Sequence, residues 1–148
     1  QEASVILKQA SDKDFAPIFF GCDGMDGILS VENFDASLAE GLMFLAPFSP
    51  TEEASKQFTE DYTAAYGIEP IQFAADSYDA VYAIAAAIEH AGITADMEPS
   101  EMCELMKTAM TEISIDGLTG AGMTWTADGE PNKAPKAAKI VNGVYEMQ

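Results

Sequence analysis

Few residues in this chain are placed for chemistry, and the best placed is an aspartate. Asp23 lies in Gly21-Cys22-Asp23-Gly24, directly after the apolar run Pro17-Ile18-Phe19-Phe20. The run reads as a short buried strand, and the flanking glycines allow loop dihedrals that other residues resist. Open α/β sheets hold ligands at the C-terminal ends of their strands, so Asp23 stands where a carboxylate meets a solute. The plainer role is a turn aspartate bonding its own backbone, and the residue types admit both. Met25 and Asp26 extend the same loop and are candidates for lining a pocket.

Groups for catalysis are scattered or absent. The sequence contains no G-x-S-x-G, no phosphate-binding G-x-x-x-x-G-K-[ST] and no H-E-x-x-H. The single histidine, His90, falls near a helix C-terminus with no nucleophile or acid placed to use it. Cys22 and Cys103 are far apart and read as two separate, mostly buried thiols. With one histidine they cannot build a zinc site. Met102, Met106 and Met110 recur at helical spacing and read as core, not as thioether metal ligands. No calcium loop of the D-x-[DN]-x-[DN]-G type occurs. The expectation is a binding module without metal, cofactor or catalysis.

Charge narrows the partners. The 148 residues carry 25 acids against 7 lysines and no arginine, a formal net charge of -18. A surface of that sign repels phosphates, so neither nucleic acid nor an anionic membrane face is an expected partner. The apolar share is 48%, enough for a packed core, so the acidity reads as solubility and a working life outside the cytoplasm rather than as disorder. No leader opens the chain, as expected of a mature secreted protein or a piece of one.

The elements that must position Asp23 alternate early between helix and strand. Glu2 to Asp14 reads as helix, with Ala3, Ile6, Leu7 and Ala10 on one face. Gly41 to Ala46 reads as a second buried strand. Ser49, Pro50 and Glu52 form a capping-box pattern for a helix with the stripe Phe58, Tyr62, Ala65 and Tyr66, stopped by Gly67. Asp76 or Ser77 is expected to cap the next helix, Tyr78 to Ile88, whose apolar circumference predicts burial. Pro99 opens a helix with the stripe Met102, Leu105, Met106, Ala109 and Met110. Met123 to Trp125 reads as a short strand with Trp125 buried, 127–130 as a turn, and Asn142-Gly143 between apolar pairs as a hairpin. The whole is an α/β pattern.

Three stretches taken in order resemble one family. They are the unit ending Phe20-Gly21-Cys22-Asp23-Gly24, then Tyr66-Gly67-Ile68-Glu69-Pro70 followed by Tyr78-Asp79-Ala80 and an alanine-rich helix, then Leu118-Thr119-Gly120-Ala121-Gly122-Met123-Thr124-Trp125 with Asn142-Gly143-Val144-Tyr145 at the end. Their order and spacing are similar to the type I periplasmic binding proteins, in the branch of the leucine/isoleucine/valine-binding proteins. The resemblance implies the C-terminal portion of a two-lobe, Rossmann-like α/β fold with ligand in the cleft. Residues 1–46 and 139–148 would belong to the second lobe and 49–137 to the first, with the N-terminal half of the family's fold lying outside the sequence.

The resemblance also implies roles. It implies the solute-binding component of an ABC importer, outside the cytoplasm, with permease subunits as partners and an amino acid of branched-chain type as ligand. A sensory receptor for amides, urea or aromatic acids is the alternative on the same fold. Asp23 falls where the family's amino-acid binders place the acid that pairs with the ligand's ammonium. Phe73 falls where the family supplies an apolar wall, and Ala74 and Ser77 are candidates to face the same cleft. The stretch alone is expected to bind amino acids weakly and to cover its exposed faces by dimerising or swapping.

Overall fold

The computed structural model describes residues 2–148. Four strands form one sheet in the order β1-β2-β3-β4: β1 is Phe20–Gly21, β2 Met43–Leu45, β3 Ala137–Val141 and β4 Val144–Met147. β1 and β2 run parallel, pairing Phe20 with Met43 and Gly21 with Phe44. The end of the chain then returns to the beginning: β3 lies antiparallel to β2, with Met43 opposite Lys139 and Leu45 opposite Ala137. β3 and β4 close as the expected hairpin. Its turn has φ of 52° at Asn142 and 74° at Gly143, the two positive values a type I′ turn requires.

The first of two core clusters sits under this sheet. Phe44, Ala138 and Ile140 are buried while Leu45 is exposed, so side chains alternate faces along the strands. They pack with Leu42, Ala46, Ile28, Ala39 and Leu7. Leu7 belongs to α1, Glu2–Asp12, which buries Ser4, Leu7 and Ala10. Ile6 is exposed, contrary to the expected face, because the side of α1 that meets the cluster runs through Ala3, Leu7 and Ala10. Tyr145 closes the cluster, its ring edge-on to Phe44 at a centroid distance of 5.5 Å.

Three helices make the rest: α2 Lys56–Tyr66, α3 Gln72–Ala91 and α4 Pro99–Met110. The second cluster joins Ala87 of α3, Ala109 of α4 and Ile113, with Met106, Met110 and Trp125 packed against them. Pro99 stands in the first turn of α4, and Gly67 and Gly92 end α2 and α3 in left-handed conformations.

Several expectations fail for physical reasons. The run 17–20 is not buried: only Phe20 and Gly21 pair, and Ile18 and Phe20 are 85% and 59% exposed, because β1 is an edge strand. The capping box before α2 does not form. Ser49 Oγ instead bonds the Thr51 hydroxyl at 2.9 Å, a 3₁₀ turn spans Glu53–Ser55, and the helix starts at Lys56. α3 begins at Gln72, so Asp76 and Ser77 are interior and cap nothing. Nor is α3 buried all round. Its inner side is Ala75, Asp79, Ala83 and Ala87, while Val81, Tyr82 and Ile84 face outward. Met123 and Trp125 form isolated bridges to Ile115 and Pro131 rather than a strand, and Trp125 is half-buried. Both cysteines are exposed and unpaired.

Candidate functional site

The loop after β1 tightens into one turn of 3₁₀ helix over Asp23–Met25. Asp23 is exposed there, and its Oδ1 accepts the Gly24 N–H at 3.0 Å. The turn role and an outward carboxylate therefore coexist. The loop does not hang free. Gln72, at the start of α3, donates its Nε2 to the Asp23 carbonyl at 3.0 Å.

Asp26 makes the stronger contact. Its Oδ2 accepts the backbone N–H of Gln72 at 2.7 Å, and its Oδ1 accepts that of Gly27 at 2.8 Å. The N-cap position of α3, Ile71, has no side-chain acceptor to offer, so Asp26 supplies one from 46 residues away in sequence. Burial pushes the Asp26 carboxyl up from its ordinary pKa, and the two N–H donors oppose that rise. Gln72 itself is 1% exposed, and its Oε1 is buried without a protein donor.

Between the loop and the α2–α3 connection lies a cleft of about 520 Å³, lined by Met25, Asp26, Ile28, Tyr62, Glu69 and Ile71 among others. Its lining holds two carboxylates, Asp26 and Glu69, and no lysine, so its field favours a cationic group. The apolar members suit an aliphatic body beside that group.

Of the residues singled out by sequence, Met25 lines this cleft, with Asp23 two residues away in the same turn. Phe73, exposed, follows Gln72 directly at the start of α3. Ala74 and Ser77 line a second cleft of about 630 Å³ with Phe58, Tyr62 and Tyr78, so Tyr62 is common to both. Ser77 spends its hydroxyl on the Phe73 carbonyl at 2.7 Å.

Sequence reasoning missed Asp79. It is 5% exposed and accepts the N–H of Leu118 at 2.8 Å, the N–H of Thr119 at 2.8 Å and the Thr119 hydroxyl at 2.7 Å. A buried carboxylate must find such donors, and an aspartate in an otherwise apolar helix was the available signal. Nearby, Lys133 pairs with Asp76 at 2.8 Å and Lys136 with Glu52 at 3.2 Å, and His90 meets Glu112 at 2.9 Å.

A family model described as periplasmic binding protein matches residues 1–143. No curated protein matches the chain. Among solved structures, a leucine-binding protein LivK from Thermotoga maritima is similar over 99% of this chain and 41% of its own, with a TM-score of 0.79 and 24% identity. The branched-chain amino acid transporter substrate-binding protein LivJ from Streptococcus pneumoniae, in complex with isoleucine, is similar over 98% of this chain and 40% of its own, with a TM-score of 0.78 and 28% identity. A solute-binding protein from Rhodopseudomonas palustris in complex with benzoate shares the fold at a TM-score of 0.76 and 17% identity, over 98% of this chain and 39% of its own. The chain thus spans about 40% of the length of the structures it matches. The sheet that ties the two ends of the chain together, the loop after β1 facing α3, and a family match over nearly every residue agree: the chain belongs to the periplasmic binding protein family.

Proposed function

We propose that the chain forms part of an extracytoplasmic solute-binding component of an ABC importer, one that captures an amino acid of branched-chain type and presents it to permease subunits. In this reading residues 1–46 and 139–148 belong to one lobe and 49–137 to the other. The division follows the two separate core clusters, one under the sheet and one between α3 and α4. Asp23 takes the ligand's ammonium, and Phe73, Met25, Ala74 and Ser77 contribute to the walls. Taken alone, in the same reading, the stretch covers the outward apolar residues of α3 and β1 by dimerising or swapping.

The observation that carries it is the pinning of the Asp23 turn to the start of α3. One exposed carboxylate is thereby held beside an acidic, partly apolar cleft. Ammonium next to an aliphatic side chain is the ligand chemistry that such a site complements. Two of the similar structures are, by their own descriptions, a leucine-binding protein and an isoleucine complex.

Calorimetric titration of the full-length protein with leucine, isoleucine, valine, benzoate and urea is the test. Saturable binding of an aliphatic amino acid is expected. Binding of benzoate or urea with no response to any amino acid would overturn the reading.

A further inference from the structure

Asp26 and Gln72 do more than close a turn. Asp26 lies in the segment whose apolar residues pack under the sheet, and Gln72 opens the helix that packs against α4. Gln72 donates twice into the loop. The side chain of Asp26 holds the backbone of Gln72 at 2.7 Å, and the side chain of Gln72 holds the backbone of Asp23 at 3.0 Å. Asp26 thus fixes the main chain at Gln72, next to Phe73, and Gln72 fixes the main chain of Asp23 itself.

We propose that Asp26 and Gln72 form a catch that positions the Asp23 turn against the start of α3, so that the acid and the apolar wall of the ligand site face each other in one arrangement of the two units. The proposal rests on the two-lobe reading given above. In it Asp26 and Gln72 are positioning residues: both Asp26 oxygens are taken by backbone N–H groups, and Gln72 spends its Nε2 on the Asp23 carbonyl.

Three observations favour a reversible catch over a permanent weld. The bond is charge-assisted and made to the first N–H of a 20-residue helix, so it is specific in direction. It also holds in place a half-buried carboxylate that water would solvate better, and that burial pushes the Asp26 pKa up. Finally, the buried Gln72 Oε1 has no protein donor inside the contact. The last two oppose the first, so the contact carries its own destabilising groups. That opposition leaves the catch open to a ligand that binds the two arrangements with different affinity.

The test is a distance measurement between spin labels on the full-length protein. One label sits on the native Cys103, exposed on α4, and one on Glu40→Cys, exposed beside β2, with Cys22→Ser removing the competing thiol. Asp26→Ala is expected to broaden the distance distribution and to weaken leucine binding about five-fold or more, because the competent arrangement becomes a fraction of the whole. Asp26→Asn keeps an acceptor for the Gln72 N–H and is expected to restore the narrow distribution. Unchanged distances in Asp26→Ala would overturn the proposal. Should Asp26→Ala fail to fold, Gln72→Ala decides. It keeps the helix-capping bond but loses the bond to Asp23, so a broadened distribution supports the catch and an unchanged one overturns it. Leucine separates this proposal from the reading beneath it. If the variants broaden as expected but leucine never binds or narrows the wild-type distribution, the catch stands and the amino-acid assignment falls.

Discussion

Asp79 and Thr119 are joined by two hydrogen bonds to one carboxylate oxygen, 2.8 Å from the Thr119 N–H and 2.7 Å from its hydroxyl. The other oxygen takes the Leu118 N–H at 2.8 Å. Asp79 is the acid of the Tyr78-Asp79-Ala80 stretch, and Leu118-Thr119 opens the glycine-rich stretch, so two sequence features that looked independent are one structural joint. Asp79→Ala would leave two backbone donors without an acceptor and the Thr119 hydroxyl with only the Met123 sulfur, 3.8 Å away. A loss of about 3 kcal/mol of unfolding free energy is expected from urea denaturation. Asp79→Asn should lose less, since one oxygen still accepts.

Gly117 tests the same joint from the other side. A Cβ at this residue would stand 2.6 Å from the Asp79 carboxyl carbon, closer than side-chain atoms approach one another. The clash is with a side chain that three hydrogen bonds hold still, so it cannot swing away. Gly117→Ala is expected to destabilise by about 1–3 kcal/mol. In an Asp79→Ala background the same substitution should have a much smaller effect. A double-mutant cycle with additive values would show that the close approach does not matter.

The fold was more legible than the site, and the reason is the range of the forces involved. Asn142-Gly143 announces its turn because both residues tolerate positive φ, a purely local preference. Pro99 and Gly67 mark helix ends for equally local reasons. α3 starts several residues before the expected Tyr78 because its cap is Asp26, which no window around Gln72 contains. Likewise the apolar circumference of α3 suggested burial, but which side is covered depends on α4 and the 117–123 loop, which meet only one face. Asp23 stands out as a candidate because strand ends hold ligands in this class of sheet. The partner that pins its turn, Gln72, carries no local mark at all.

Asp23 itself should separate binding from stability. Its side chain is exposed and, among the described residues, bonds only the neighbouring Gly24 N–H, so Asp23→Asn should change the unfolding free energy by no more than about 0.5 kcal/mol. In the proposed role the same change removes the charge that meets the ligand's ammonium. A loss of at least about ten-fold in affinity for the amino acid is expected, equivalent to about 1.4 kcal/mol or more. Calorimetry showing equal affinity in the two proteins would remove Asp23 from the site.

Asp26 gives the protein a pH dependence whose sign can be worked out. Burial raises its folded-state pKa, with the N–H groups of Gln72 and Gly27 acting against the rise. A raised pKa means that the folded chain holds the proton more tightly than the unfolded chain does. The slope of stability with pH follows the difference in bound protons, so between the unfolded value and the higher folded value stability falls as pH rises. Below that window Asp26 is protonated in both states and contributes no slope. Above it the residue is ionised in both, and its desolvation is fully felt. The neighbouring Tyr145 hydroxyl, pushed upward first by its own burial, stays neutral throughout and adds no slope of its own there. Asp26→Asn removes the titration while keeping an acceptor for Gln72. Urea denaturation at a series of pH values from the ordinary carboxylate range upward should therefore show the variant gaining on the wild type as pH rises, then running parallel to it. A difference that stays constant across the series would mean that hydrogen bonds cancel the effect of burial on Asp26, and one that shrinks as pH rises would mean that they outweigh it.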